Sequence, residues 1–345
     1  MGTGLLLLLL GAHVAGQTDA PGGRTPLERF EFSEPHMGTR FRIVLYAPDE
    51  TLARKAAQAA FSRVRALDQA LSDYREDSEL MRLCQEAGKE PVRVSTDLFT
   101  VLARAQEASR WSQGAFDVTI GPLTRLWRRA RRQRQLPSSQ ELHEARKLVG
   151  YEKVVLDPQR QTVHLTKAGM LLDLGGIAKG YAADAALAVL REHGIRSALV
   201  AAGGDIVVGE PPPHAAAWRI GIAPLDDPQR PPTRTLALVR AAVSTSGDAE
   251  QFVEIDGVRY SHILDPRTGL GLTGRRSVTV IAPDGTTSDS LATAVSVLPV
   301  AEGLKLADAV PGVAALILIH NGTEESVYAS SRWPKEPLPE PSPSR

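Results

Sequence analysis

Apolar residues recur at helical spacing from Glu50 to Leu71, with Ala53, Ala57, Ala60, Phe61, Val64 and Leu67 on one face. That period predicts a long alanine-rich helix. Thr96 to Gln113 reads as a second helix closed by Gly114, and Ser138 to Val149 as a third. Phe41 to Tyr46 alternates as a strand does. Val154 to Leu156 and Thr162 to Leu165 predict a hairpin around Asp157-Pro158. Met170 to Leu174, a glycine pair, a helix from Ala178 to Arg191 and a strand from Ser197 to Ala202 read as strand–helix–strand. Further strands are predicted over Trp218 to Ile222, Arg234 to Val239, Gln251 to Ile255, Ser277 to Ile281 and Ala314 to Ile319, with a late helix over Ala301 to Ala309. The pattern predicts an α+β fold with mixed sheets and packed helices.

The ends of the chain differ in character from its middle. Leu5 to Leu10 is an unbroken leucine run, and Val14-Ala-Gly16 offers small residues for cleavage before Gln17. Residues 1–16 therefore read as a secretory signal, although no Lys or Arg precedes the run. Residues 17–29 read as a linker, 30–333 as the folded domain, and 334–345 as a disordered Pro-rich tail. The expectation is an exported, periplasmic protein, soluble after cleavage.

Composition narrows the function. The chain has 345 residues and a formal net charge of zero, so nothing global points to nucleic acid or an acidic membrane surface. Cys84 is the only cysteine, which excludes an intramolecular disulfide. It sits in an apolar helical pattern and reads as a small buried hydrophobe. The histidines are scattered without a His-x-x-x-His pair, against a zinc site. Arg125 to Gln135 carries six arginines around Trp127 and reads as a solvated helix face.

Candidate chemistry begins at Asp289-Ser-Leu-Ala-Thr293. A carboxylate and a hydroxyl four residues apart stack on one helix face. With Thr286, Thr287 or Ser288 as the cap, the pair falls in the first turn, where anions are favoured. Two hard oxygen donors there suit a magnesium ion shared with a ligand's phosphates. Taken alone, the motif is better explained by an N-cap Asp and a Thr bonded to the preceding turn, because short patterns have many false positives. Asp173-Leu-Gly-Gly-Ile-Ala-Lys-Gly180 combines a glycine pair with a helix start and a lysine, a second place for phosphate to approach the backbone. Ala202-Gly-Gly-Asp205, Gly114-Ala-Phe-Asp117 and Ser244-Thr-Ser-Gly-Asp248 are further turns dense in polar groups. Tyr74 lies just past a helix, where a flat ring could stack or simply meet solvent. His262 precedes a tight Asp265-Pro-Arg-Thr-Gly269 turn.

Taken in order from Met37-Gly-Thr39 to Asp289–Thr293, these segments resemble the ApbE family of FAD:protein FMN transferases, over His36 to about Ala329. The resemblance implies an ApbE-like fold with FAD in a cleft between two lobes. It implies a magnesium-dependent enzyme that moves FMN from FAD to a threonine of an acceptor flavoprotein, such as a redox-complex subunit, and releases AMP. The family's metal ligands fall on Asp289, Thr293 and the backbone carbonyl of Gly176. Its flavin contacts fall on Met37, Tyr74, Ala115, Phe116, Asp117, Asp173, Lys179 and Leu264. His262 is then the candidate base, helped by Asp265 or Asp289; alternatively it only orients Asp265 or the diphosphate. An FAD pyrophosphatase with water as nucleophile, and a flavin carrier without turnover, are the rival readings. Two departures stand out: many family members are lipoproteins, whereas no anchoring cysteine follows the leader, and Ser290 replaces a commoner alanine.

Overall fold

The computed structural model describes residues 26–225, 230–247, 251–322 and 324–335. The expected signal segment, most of the linker and the tail from 336 lie outside the described residues, as does Asp248.

The strands β1 (Glu28–His36) and β2 (Thr39–Ala47) form a hairpin that leads into α1 (Glu50–Leu71), α2 (Glu79–Gln85), β3 (Val92–Arg93) and α3 (Thr96–Trp111). Next come α4 (Gly121–Gln133), α5 (Ser139–Arg146), β4 (Val154–Asp157) and β5 (Thr162–Leu165). The helix α6 (Ala178–Glu192) precedes β6 (Ala198–Ala202), β7 (Asp205–Val208), β8 (Trp218–Ile222), β9 (Arg234–Leu238) and β10 (Ala241–Gly247). The chain closes with β11 (Phe252–Ile255), β12 (Val258–Leu264), β13 (Gly271–Thr273), β14 (Arg275–Ala282), α7 (Gly285–Val297), α8 (Val300–Ala309), β15 (Ala314–Asn321) and β16 (Glu324–Ala329).

The central sheet has the order β1-β2-β6-β7-β10-β14-β15-β16. Strand alternation sends its two faces to different cores. Ile43 and Leu45 join Val200, Val278, Val280 and Ile317 beneath the helices. Val44, Leu199, Ile206 and Leu318 point the other way, onto Trp218, Ile220 and Leu236 of the β8–β9 ribbon. A smaller core centred on Trp127 joins α4 and α5 to the β11-β12-β13 sheet through Leu123, Val253, Ile255 and Leu264. All strand pairs among the described residues are antiparallel. This is the α+β class that the sequence predicts.

Four local expectations change. Residues 170–174 are extended but form no strand. Met170, Leu172 and Leu174 alternate into the core, yet their backbone is satisfied elsewhere. Leu172 N–H donates to Cys84 Sγ over 3.3 Å, and Asp173 N–H to the Val118 carbonyl over 2.8 Å. The second helix stops at Trp111, because Gln113 and Gly114 adopt φ of 52° and 81°. The third helix runs only from Ser139 to Arg146, with Ser138 and Glu141 forming a reciprocal capping box. The domain starts before residue 30, since β1 begins at Glu28 and pairs with β2 along its length.

Candidate active site

α6 and α7 meet backbone to backbone. A Cβ on Gly285 would lie 2.7 Å from the Gly180 carbonyl oxygen, and one on Gly180 would lie 2.9 Å from Asp289 Cβ. Only glycine permits that approach. It lets Gly180 N–H donate to Asp289 Oδ2 over 3.0 Å. One turn along α7, Thr293 Oγ1 would stand 2.9 Å from a Cβ on Gly176, with Phe116 Cε2 at 3.2 Å. The 114–117, 173–180 and 289–293 segments therefore converge at one place.

A charge cluster sits at that junction. Lys179 Nζ lies 2.8 Å from Asp205 Oδ2 and 3.5 Å from Asp289 Oδ2, and it donates to the Gly175 carbonyl over 3.3 Å. Both carboxylates are buried. Burial, and after it the neighbouring Asp205, pushes the Asp289 carboxyl up to about 7, against the pull of Lys179. Burial disfavours the Lys179 ammonium, but the two aspartates outweigh it and raise its pKa. Ser244 Oγ lies 2.8 Å from Ser288 Oγ, which joins the 244–247 segment to the same helix.

The α7 cap departs from the sequence reading. Asp284, not a hydroxyl at 286–288, is the N-cap and accepts Thr287 N–H over 2.8 Å. Asp184, on α6, accepts Gly285 N–H over 2.7 Å and Thr286 N–H over 2.9 Å. The helix thus starts earlier, and Asp289 falls in its second turn. Its terminal donors are spent on protein carboxylates rather than on an anion. The Asp289–Thr293 stacking survives, because it depends only on spacing.

The aromatic side of the site lies beside α4. Tyr74 follows the α1 C-cap and is 78% exposed. Arg128 from α4 stacks its guanidinium 3.9 Å from the Tyr74 ring centroid. The same group hydrogen-bonds Asp73 and lies 3.8 Å from Asp173 Oδ2. Burial, then Asp173, pushes the Asp73 carboxyl up to about 6, with Arg128 opposing. Arg128 and Asp73 escaped the sequence reading. The arginine run hid the first, since nothing local marks which arginine reaches another element. Asp205 was visible as the end of a glycine turn but carried no assigned role.

Ala115 and Phe116 are buried. Asp117 accepts from Thr119 N–H over 2.8 Å and Thr119 Oγ1 over 2.7 Å, and burial raises its pKa despite these bonds. Met37 occupies the β1–β2 turn with φ of 48°, and its N–H donates to Asp68 over 3.2 Å. That turn abuts the second glycine segment, since a Cβ on Gly203 would be 3.0 Å from Thr39 Oγ1. Leu264 is buried beside Trp127, whose indole donates to the Gly269 carbonyl over 2.8 Å.

His262 and Asp265 are not brought together as expected. Arg267 grips Asp265 with two bonds of 2.9 and 3.0 Å, and its backbone N–H adds a third of 2.9 Å. Among the described residues, Asp265 bonds to its own turn and not to the imidazole. The His262 ring instead bonds the Gln251 carbonyl through Nδ1 over 3.1 Å. A carbonyl only accepts, so Nδ1 is the donor in this bond. Among the described residues Asp289 is hydrogen-bonded by Gly180 and Lys179, not by His262. Cys84 is buried and its thiol is pushed up to about 11 by burial, as befits an inert hydrophobe.

The described residues contain no group of three or more His, Cys, Asp or Glu that could hold a metal. What the junction does offer is one carboxylate, one hydroxyl and a close backbone strand at Gly176. The Gly180 and Lys179 contacts to Asp289 both fall on Oδ2, which leaves Oδ1 as the candidate donor to a ligand. Such a set suits a hard cation that completes its shell with water and substrate phosphates.

The chain is similar to known proteins in sequence and fold. The ApbE family profile matches residues 37–317. An FAD:protein FMN transferase of Vibrio cholerae is 34% identical over 316 residues, covering 90% of this chain and 94% of its own. One of Treponema pallidum is 35% identical over 312 residues, with 86% of each chain covered. The solved ApbE protein of Thermotoga maritima superposes with a TM-score of 0.79 at 33% identity, covering 88% of this chain and 97% of its own.

Proposed function

The chain belongs to the ApbE family, and from that premise we propose that it is an FAD:protein FMN transferase that uses Mg2+ and a threonine acceptor. The observation that carries this reading is the convergence of Lys179, Asp205 and Asp289 with Gly176 and Thr293. A flavin carrier has no use for a buried carboxylate and a hydroxyl stacked one turn apart beside a closely approaching backbone.

Asp289, Thr293 and the Gly176 carbonyl would hold Mg2+, which supplies positive charge at the diphosphate when bound. Lys179 keeps Asp205 and Asp289 charge-balanced and aims the Asp289 carboxylate. Tyr74 stacks on the isoalloxazine, with Met37, Ala115, Phe116 and Leu264 as apolar walls. Asp117 and Asp173 fix the loops that border the ring: Asp117 binds Thr119, and Asp173 accepts Gly175 N–H over 2.8 Å. His262 Nε2 takes the proton from the acceptor threonine. The threonine oxygen then forms a bond to the FMN phosphorus, the diphosphate bond to AMP breaks, and AMP departs. The Gln251 carbonyl accepts from Nδ1 and so orients the ring for this step.

The partner is an acceptor flavoprotein with an accessible threonine, and any membrane contact is the acceptor's. The proposed location is the periplasm, on the strength of the leucine run and small-residue cleavage site at 5–16. AMP release from FAD, measured with and without acceptor, tests the reaction class. Release that requires acceptor supports transfer. Equal release without acceptor identifies a hydrolase that uses water.

A further inference from the structure

One side chain outside the family-matched set touches three members of the flavin side of the site. Arg128 stacks 3.9 Å from the Tyr74 centroid, hydrogen-bonds Asp73, and approaches Asp173 to 3.8 Å. It is half-buried, and it follows Trp127, which anchors the helix through Gly269. Tyr74 itself is 78% exposed, and its N–H is held only by its own loop, over 3.3 Å to Ser72 Oγ. An exposed ring on a loop has little to fix its plane except a partner on one face.

We propose that Arg128 is a positioning residue for flavin binding: it covers one face of Tyr74 and so holds the opposite face as a ready stacking platform for the isoalloxazine. Asp73 and Asp173 hold the guanidinium in turn, so ring, cation and carboxylates form one unit. The planar group matters here as much as its charge, because a guanidinium lies flat on a ring and an ammonium does not. A ring fixed before binding spares the ligand the entropy of ordering it. The inference rests on the flavin-transfer reading for the identity of the ligand.

The test uses Arg128→Met and Arg128→Lys, read by FAD binding in the absence of acceptor. Flavin fluorescence quenching and the visible band shape report stacking directly. Arg128→Met should weaken FAD binding by about 3–30-fold, the range of a cation–π contact, with kcat at saturating FAD little changed. Arg128→Lys should lose nearly as much, though it keeps the charge that balances Asp73 and Asp173. In a Tyr74→Ala background, Arg128→Met should cost almost nothing more. Melting temperatures identify any variant that fails to fold, and Arg128→Lys then carries the test. Full binding by Arg128→Lys, or equal losses with and without Tyr74, would overturn the platform role in favour of simple charge balance. A wild-type protein that binds no FAD would sink the flavin reading itself, which is a separate outcome.

Discussion

The backbone N–H of Gly180 donates to Asp289 Oδ2 over 3.0 Å, and this one bond links the glycine-rich turn to the helix that carries Asp289 and Thr293. A Cβ on Gly180 would run into the Gly285 carbonyl and stand 2.9 Å from Asp289 Cβ. Gly180→Ala must therefore push α6 and α7 apart. We expect a loss of about 1–3 kcal/mol in stability, as for overpacked cores, together with a larger fall in transfer. Thermal melts and turnover of the same preparation check both; wild-type values for both would mean that the helices move apart freely.

Burial and Asp205 hold the Asp289 carboxyl near 7 in the folded protein, above its ordinary range. A raised folded pKa means that the protonated form stabilises the fold. That contribution is complete below the unfolded pKa and is lost as pH rises through about 7. Metal-free wild type should therefore lose stability relative to Asp289→Asn between about pH 4 and about pH 8. Adding Mg2+ and FAD should stabilise the wild type and not the variant. Parallel melting curves across that range would contradict the assignment.

Among the described residues, Lys179 is the cation that Asp205 and Asp289 share. Lys179→Met leaves two buried carboxylates facing each other. Breaking such a cluster costs on the order of 3 kcal/mol. The expected result is a lower melting temperature and a steep loss of FAD affinity. Recovery of stability in Lys179→Met/Asp205→Asn would show that the charge, and not packing, was at fault.

His262→Ala should lower the transfer rate by about 10²–10⁴-fold with FAD affinity little changed, because a base acts in the transition state. Its pH–rate profile should also lose the acidic limb. Weak FAD binding with an unchanged rate at saturation would make His262 a binding residue instead.

The fold was legible wherever a signal was local. α1 spans Glu50 to Leu71 as its apolar period predicts, and Asp49 caps it as a short-range feature can. β1 was missed because Phe30 and Phe32 are its only large apolar residues, too few to mark a strand in an otherwise polar segment. The start of α7 was misjudged because Asp184, its decisive partner, comes from another helix. The 114–117, 173–180 and 289–293 segments were legible as motifs, and the structure brings them to one junction. Their couplings were not, since Lys179 with Asp205 and Arg128 with Tyr74 are long-range contacts that no spacing encodes.

The central claim is that FMN is moved onto a protein hydroxyl. Intact-mass analysis of a candidate acceptor, incubated with this protein, FAD and Mg2+, tests it most directly. The expected result is an FMN-sized gain on a single threonine, equimolar AMP, and no gain with Asp289→Ala. Free FMN and AMP with an unmodified acceptor, or full labelling by Asp289→Ala, would contradict it.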